Sequence, residues 1–171
     1  MIMRKTSLVA IAIALSLSAG CRSRTAAELP PAPVSDGTPG DQDSSTTGAI
    51  VPGSRADFLQ NVPSDRIFFA FDSYSIDADS RRTLDAQAEW LNRNATVRVT
   101  IEGHADERGT REYNLALGDR RANAARDYLQ SRGIVATRMQ TLSWGKERPA
   151  VEGSNESAWA QNRRAVTVVP E

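Results

Sequence analysis

The stretch from Gly103 to Ala122, GHADERGTREYNLALGDRRA, leaves the backbone few options: a strand closes, a charged turn follows and a helix opens. The residues before it, Val97-Arg98-Val99-Thr100-Ile101-Glu102, alternate apolar and polar with the period of two of a half-buried strand. His104 and Asp106 continue the polar side, so the Asp106 carboxylate lies just past a strand end. Gly103 and Gly109 loosen the turn. Beyond it, Tyr113, Leu117, Ala124 and Tyr128 recur at helical spacing and predict one buried stripe. Arg121, four residues after Leu117, stands on or beside that stripe, where an always-charged guanidinium needs a partner. Gly118 sits in the helix interior, where Ala would be better by about 1 kcal/mol, and so predicts a close approach to the backbone at that turn.

A carboxylate at a strand end and a guanidinium in the following helix make a two-pole site, suited to a ligand that carries both an amine and a carboxylate. The same spacing permits an internal Asp106–Arg121 ion pair that only supports the fold. Spacing alone leaves both readings open.

The rest of the chain places this turn within a fold. Ile67-Phe68-Phe69-Ala70-Phe71 reads as a buried first strand, and Asp72, Ser73 and Tyr74 turn the chain. Asp77 or Asp79 caps a helix in which Leu84, Ala88 and Leu91 share a face, ending near Asn92-Arg93-Asn94. A long helix from about Tyr113 to Arg132 stops at Gly133, a natural left-handed cap. Met139 to Trp144 and Ala165 to Val169 read as the last two strands, with a short helix around Ser157 to Gln161 between them. Because the second strand alternates cleanly, one sheet face is expected in water and the helices on the other. The result is an α+β two-layer sandwich.

The N-terminal part reads differently. Arg4 and Lys5 precede an apolar run from Leu8 to Leu17 and then small residues, the layout of a secretory signal peptide over residues 1–20. The run is too short for a transmembrane span. Cys21 is the only cysteine, which excludes a disulfide framework, and Ser18-Ala19-Gly20 before it resembles a lipobox, with Ser18 where an apolar residue is usual. Residues 21–55 are rich in Pro, Gly, Ser, Thr and Asp, a composition that buries too little apolar surface to fold. As a flexible tether they have a root-mean-square reach of about 30 to 35 Å. Residues 56–171 are the expected folded domain.

Several chemistries find no support. Lys and Arg total 21, balanced by 21 Asp and Glu interleaved with them, so there is no basic footprint for nucleic acid. His104 is the only histidine and reads as a hydrogen-bonded structural residue rather than a metal ligand. The run from Asp72 to Asp77 lacks the glycine and terminal glutamate of a calcium loop. No Cys-His pair or Ser elbow supports nucleophilic catalysis. Lys146-Glu147-Arg148 reads as a solvated loop, and Arg163 and Arg164 as charges that fix the approach of the last strand.

The run Gly103 to Thr110, with Tyr113-Asn114, Leu117-Gly118 and Arg121-Ala122, resembles the signature of the OmpA-like C-terminal domain family. Phe69 to Ser73 and Asn162-Arg163-Arg164 support the match, and Trp144 to Val151 with Ala160 to Val166 resembles a lipoprotein branch of that family. The resemblance covers roughly Phe58 to Glu171. It implies a βαβαβ(α)β order, a mixed four-stranded sheet with helices on one face, and non-covalent binding of peptidoglycan without catalysis or cofactor. Its ligand would be the free end of meso-diaminopimelate in the peptide stem, with Asp106 taking the ammonium and Arg121 the carboxylate. Asp72 and Ser73 match the first-strand turn whose backbone meets the ligand. Phe71, Asn114 and Leu117 would shape the pocket, although from residue type alone Phe71 and Leu117 read as core and Asn114 as a helix-start cap. The resemblance further implies lipid on Cys21, an outer-membrane location directed by Arg22, and the Tol machinery, TolB in particular, as partner. Two alternatives stand beside this: a lipid-anchored wall-remodelling enzyme using Asp106 or Glu102 as general acid or base, and a wall-binding lipoprotein outside the Tol system.

Overall fold

Four helices begin where the sequence supplies a polar side chain able to accept from the first turn. In the computed structural model, which describes residues 50–171, Ser54 opens α1 (Arg55–Asn61), Asp77 opens α2 (Ala78–Arg93), Thr110 opens α3 (Arg111–Ser131) and Asn155 opens α4 (Glu156–Asn162). Each side chain accepts the backbone N–H three residues on, a bond contributing about 1 kcal/mol. The expected signal peptide, Cys21 and most of the tether lie outside the described residues. The described residues, 50–171, all belong to one compact unit.

The strands are β1 (Arg66–Phe68), β2 (Val99–His104), β3 (Met139–Gly145) and β4 (Arg164–Val168), in the order β1-β4-β2-β3. β4 runs antiparallel to β1 and β2, and β3 runs parallel to β2, so the sheet is mixed. This is the α+β architecture that the strand and helix patterns predict. Leu84, Ala88 and Leu91 of α2 are buried, as their shared face requires. α1, which no periodicity announces, adds Phe58 to the core, where its ring meets Trp90 edge-on at 4.9 Å.

The first strand is shorter than its apolar run. Pairing stops at Phe68, the Phe69 N–H turns to the Arg163 carbonyl (2.9 Å), and the chain leaves the sheet towards Asp72. Asp72, at φ 52°, is the one non-glycine residue with positive φ among the described residues; Asp is among the few residue types that tolerate that region.

The buried stripe of α3 is only in part the expected one. Leu117 and Arg121 are buried as expected, joined by Gly118, Ala122, Ala125 and Leu129, while Tyr113 is 46% exposed and Ala124 and Tyr128 lie at the shoulders. Around Gly118 and Ala122 the inward side chains are small because the backbones of α3 and β2 touch there. A Cβ on Gly103 would fall 1.8 Å from the Gly118 carbonyl oxygen, and one on Gly118 would fall 2.4 Å from Ser143 Oγ. The close approach expected at Gly118 is thus the contact that seats α3 on β2. At its other end α3 stops as expected: Gly133 takes φ 94°, and Ile134 donates to the Leu129 carbonyl at 3.2 Å.

The helix-free face of the sheet is less open than alternation suggests. His104 is 2% exposed, and both of its ring nitrogens lack a partner among the described residues, contrary to the expected hydrogen-bonded role. Glu102 Oε2 lies 3.7 Å from its Nε2, too far to bond well. Burial first, then the positive charge of Arg164, push the His104 pKa down to about 3. The imidazole is therefore neutral.

Candidate functional site

β2 delivers the turn. Past its end, the Ala105 N–H donates to the Gly145 carbonyl at 2.7 Å, which ties the start of the turn to β3 and presents Asp106. Lys146, read from sequence as part of a solvated loop, donates to the carbonyls of Glu107 (3.2 Å) and Gly109 (2.7 Å) and holds the far side. Asn114 closes the turn from α3 by donating to the Arg108 carbonyl at 2.8 Å; the helix cap is Thr110, not Asn114.

Asp106 is 5% exposed and fully bonded. Its Oδ1 accepts from the Arg108 backbone N–H (3.1 Å) and Nε (3.2 Å), and its Oδ2 accepts from Arg108 Nη2 (2.6 Å) and Arg163 Nη1 (3.5 Å). Burial opposes ionisation of this carboxyl, but the bonds and charge supplied by Arg108, with Arg163 behind them, hold its pKa below the usual carboxylate value. Arg163, expected only to guide the last strand, also donates to the Phe69 carbonyl and to Glu156, and so joins the segment just after β1, α4 and the turn.

Arg121 reaches the same place from α3 and is 0% exposed. Its Nε donates to the Ser73 carbonyl (2.8 Å), Nη1 to the His104 carbonyl (2.8 Å) and Nη2 to the Ala70 carbonyl (3.3 Å). All three acceptors are neutral. Burial pushes its pKa down to about 10, against the favourable field of Asp106, so it remains a cation at neutral pH. No ion pair joins Asp106 to Arg121 among the described residues. The two charges are spent on different partners, and the internal salt bridge that spacing permitted does not form.

Between them lies a cavity of about 200 Å³. Six of the seven candidate residues line it: Asp106, Arg121, Asp72, Phe71, Asn114 and Leu117. The seventh, Ser73, does not line it and acts through the carbonyl that holds Arg121. Phe71 is 62% exposed rather than core, and Leu117 is both buried and in the wall. Three further lining residues were not picked out as site residues: Arg108, Gly109 and Tyr113. Tyr113 donates its hydroxyl proton to Asp72, closing one rim. The Arg108 guanidinium lies 4.1 Å from the centre of the Phe71 ring and 4.0 Å from that of Trp159. The clue to Arg108 was its place two residues after Asp106 within the turn; nothing local in sequence pointed to Trp159, which arrives from α4.

The chain is similar in sequence and in fold to known proteins. The OmpA family profile matches residues 68–163, which span the cavity and the whole path from β1 to the end of α4. A protein of Agrobacterium fabrum named peptidoglycan-associated lipoprotein is 49% identical over 166 residues, covering 97% of this chain and 88% of that one. One of the same name from Brucella melitensis is 52% identical over 164 residues, covering 95% and 92%. The crystal structure of the peptidoglycan-associated lipoprotein from Burkholderia pseudomallei superposes with a TM-score of 0.61 at 42% identity, over 63% of this chain and 91% of that one. From the mixed sheet, the turn and these matches together, this chain belongs to the OmpA family.

Proposed function

We propose that this chain binds peptidoglycan without catalysis, recognising the amine and carboxylate on the free end of meso-diaminopimelate in the peptide stem. The observation that carries the reading is the pair of opposite charges on one cavity that are not bonded to each other. Arg121 uses three of the five N–H bonds of a guanidinium, leaving one on each terminal nitrogen for a carboxylate, a pair of donors on one planar group that Lys cannot reproduce. Asp106 is the anion for the ammonium. The cavity, about 200 Å³, is smaller than the roughly 300 to 1,000 Å³ of sites that enclose whole drug-sized ligands, and suits the end of a side chain.

The N-terminal sequence extends the proposal. Lipid on Cys21 would anchor the chain in the outer membrane, residues 21–55 would span the gap, and the domain would face the periplasm and hold the wall. Relatives named as lipoproteins support this. TolB is the proposed partner, which makes the chain part of the Tol-Pal system that supports envelope integrity and constriction at division.

Sedimentation of residues 45–171 with purified wall tests the binding. The domain should pellet with diaminopimelate-type peptidoglycan and stay soluble with lysine-type peptidoglycan, whose stem has the ammonium but not the adjoining carboxylate. Equal pelleting with both would refute recognition of the two-charge end.

A further inference from the structure

The cation subsite of Asp106 is already occupied by a residue of the same chain. A carboxylate has about four lone-pair positions. Here three hydrogens come from Arg108 and the fourth, at 3.5 Å, from Arg163. A ligand ammonium finds no free acceptor on Asp106 while Arg108 stays. Of the two arginines only Arg108 can leave. Arg163 is buried and also bonded to the Phe69 carbonyl and to Glu156. The Arg108 side chain is part-exposed on a turn, and of its two ring neighbours Phe71 is largely in solvent. Glu107, which accepts from Trp159 Nε1, and Glu156 both lie close enough to add to the field that keeps Arg108 charged. A displaced guanidinium therefore has other carboxylates beside it.

The exchange has a consequence for affinity. An ammonium that replaces Arg108 on Asp106 swaps one cation for another and gains little by itself. A ligand that brings a carboxylate as well fills the two unused N–H bonds of Arg121, a gain that Arg108 cannot match. We infer that Arg108 is the internal cation a ligand ammonium must displace from Asp106, and that the cost of this exchange weakens all such ligands alike, so that only one that also brings a carboxylate to Arg121 binds tightly. The inference rests on the reading of Asp106 and Arg121 as the two binding poles.

The test is titration of residues 45–171 with meso-diaminopimelate and with 1,5-diaminopentane, which has ammonium groups only, for the wild type, Arg108→Ala, Arg108→Gln and Asp106→Ala. Thermal unfolding checks that each variant is folded. Both Arg108 variants should bind each probe at least tenfold more tightly than the wild type, with the preference for diaminopimelate over diaminopentane unchanged, because the cost of displacing Arg108 is common to both. A competing internal state lowers apparent affinity by the fraction of competent molecules, so its removal raises affinity. Trp159 fluorescence should change when diaminopimelate binds the wild type, as the guanidinium leaves its ring, and should change much less in Arg108→Ala. If the Arg108 variants lose diaminopimelate binding, or bind neither probe more tightly than the wild type does, the exchange is wrong although the two-pole site stands. If neither the wild type nor any variant binds diaminopimelate, or if Asp106→Ala binds it as the wild type does, the two-pole reading fails and takes the inference with it.

Discussion

Lowering the pH from 7 to 5 should destabilise this domain by about 2 kcal/mol through one side chain, His104. The sign follows from proton binding. In the unfolded chain the imidazole takes a proton near its usual 6.5, whereas in the folded protein burial and Arg164 push its pKa down to about 3. Between those values the unfolded state holds more protons, so stability rises with pH and is lost as pH falls from about 6.5 towards 3. At pH 5, 1.5 units below the unfolded value, the difference is about 2 kcal/mol at 1.36 kcal/mol per unit. The window is clean because His104 is the only histidine, and no other unperturbed side chain titrates between pH 5 and 8. Urea unfolding of residues 45–171 at pH 7, 6 and 5 reads the effect directly, and His104→Gln should flatten the profile. Stability that holds or rises at pH 5 would refute the reasoning. It would mean that His104 is protonated in the fold and that Glu102, 3.7 Å away, pairs with it.

Other residues give separate checks. Gly103→Ala forces a methyl into the Gly118 carbonyl, 1.8 Å from an ideal Cβ, with backbone on both sides and no flexible neighbour to yield; a loss of about 3 kcal/mol or more, or failure to fold, is expected in denaturant titration. Phe58→Ala should cost about 3 to 5 kcal/mol, because its buried ring packs on Trp90, and a loss under 1 kcal/mol would show that α1 is not part of the folded unit. Asp77→Ala removes the cap of α2 and should cost about 1 kcal/mol in the same assay.

The fold was legible wherever one local rule decided the outcome. Asp77 announced α2, Gly133 ended α3, and the alternation from Val97 placed β2. Gly118 declared a close approach, but its consequence, that small residues rather than Tyr113 and Tyr128 face the sheet, depended on Gly103 arriving opposite it. α1 escaped notice because Phe58 and Leu59 carry too little periodicity, and its burial is decided by Trp90, more than thirty residues away in sequence. At the site, Asp106 and Arg121 were legible as charges that needed partners. Which partners they took was not, since Arg121 bonds to carbonyls of Ala70, Ser73 and His104 that any sequence would supply. Arg163 and Trp159 come from the far end of the chain and are brought to the turn only by the fold.

The most direct measurement is calorimetric titration of residues 45–171 with three small molecules: meso-diaminopimelate, 1,5-diaminopentane and glutarate. These carry both charges on one carbon, ammonium alone and carboxylate alone. Meso-diaminopimelate should bind saturably, the other two should bind at least tenfold more weakly, and the diaminopimelate signal should be lost in folded Asp106→Ala and Arg121→Lys. Binding of meso-diaminopimelate that survives in both variants would contradict the claim that these two charges form the recognition site.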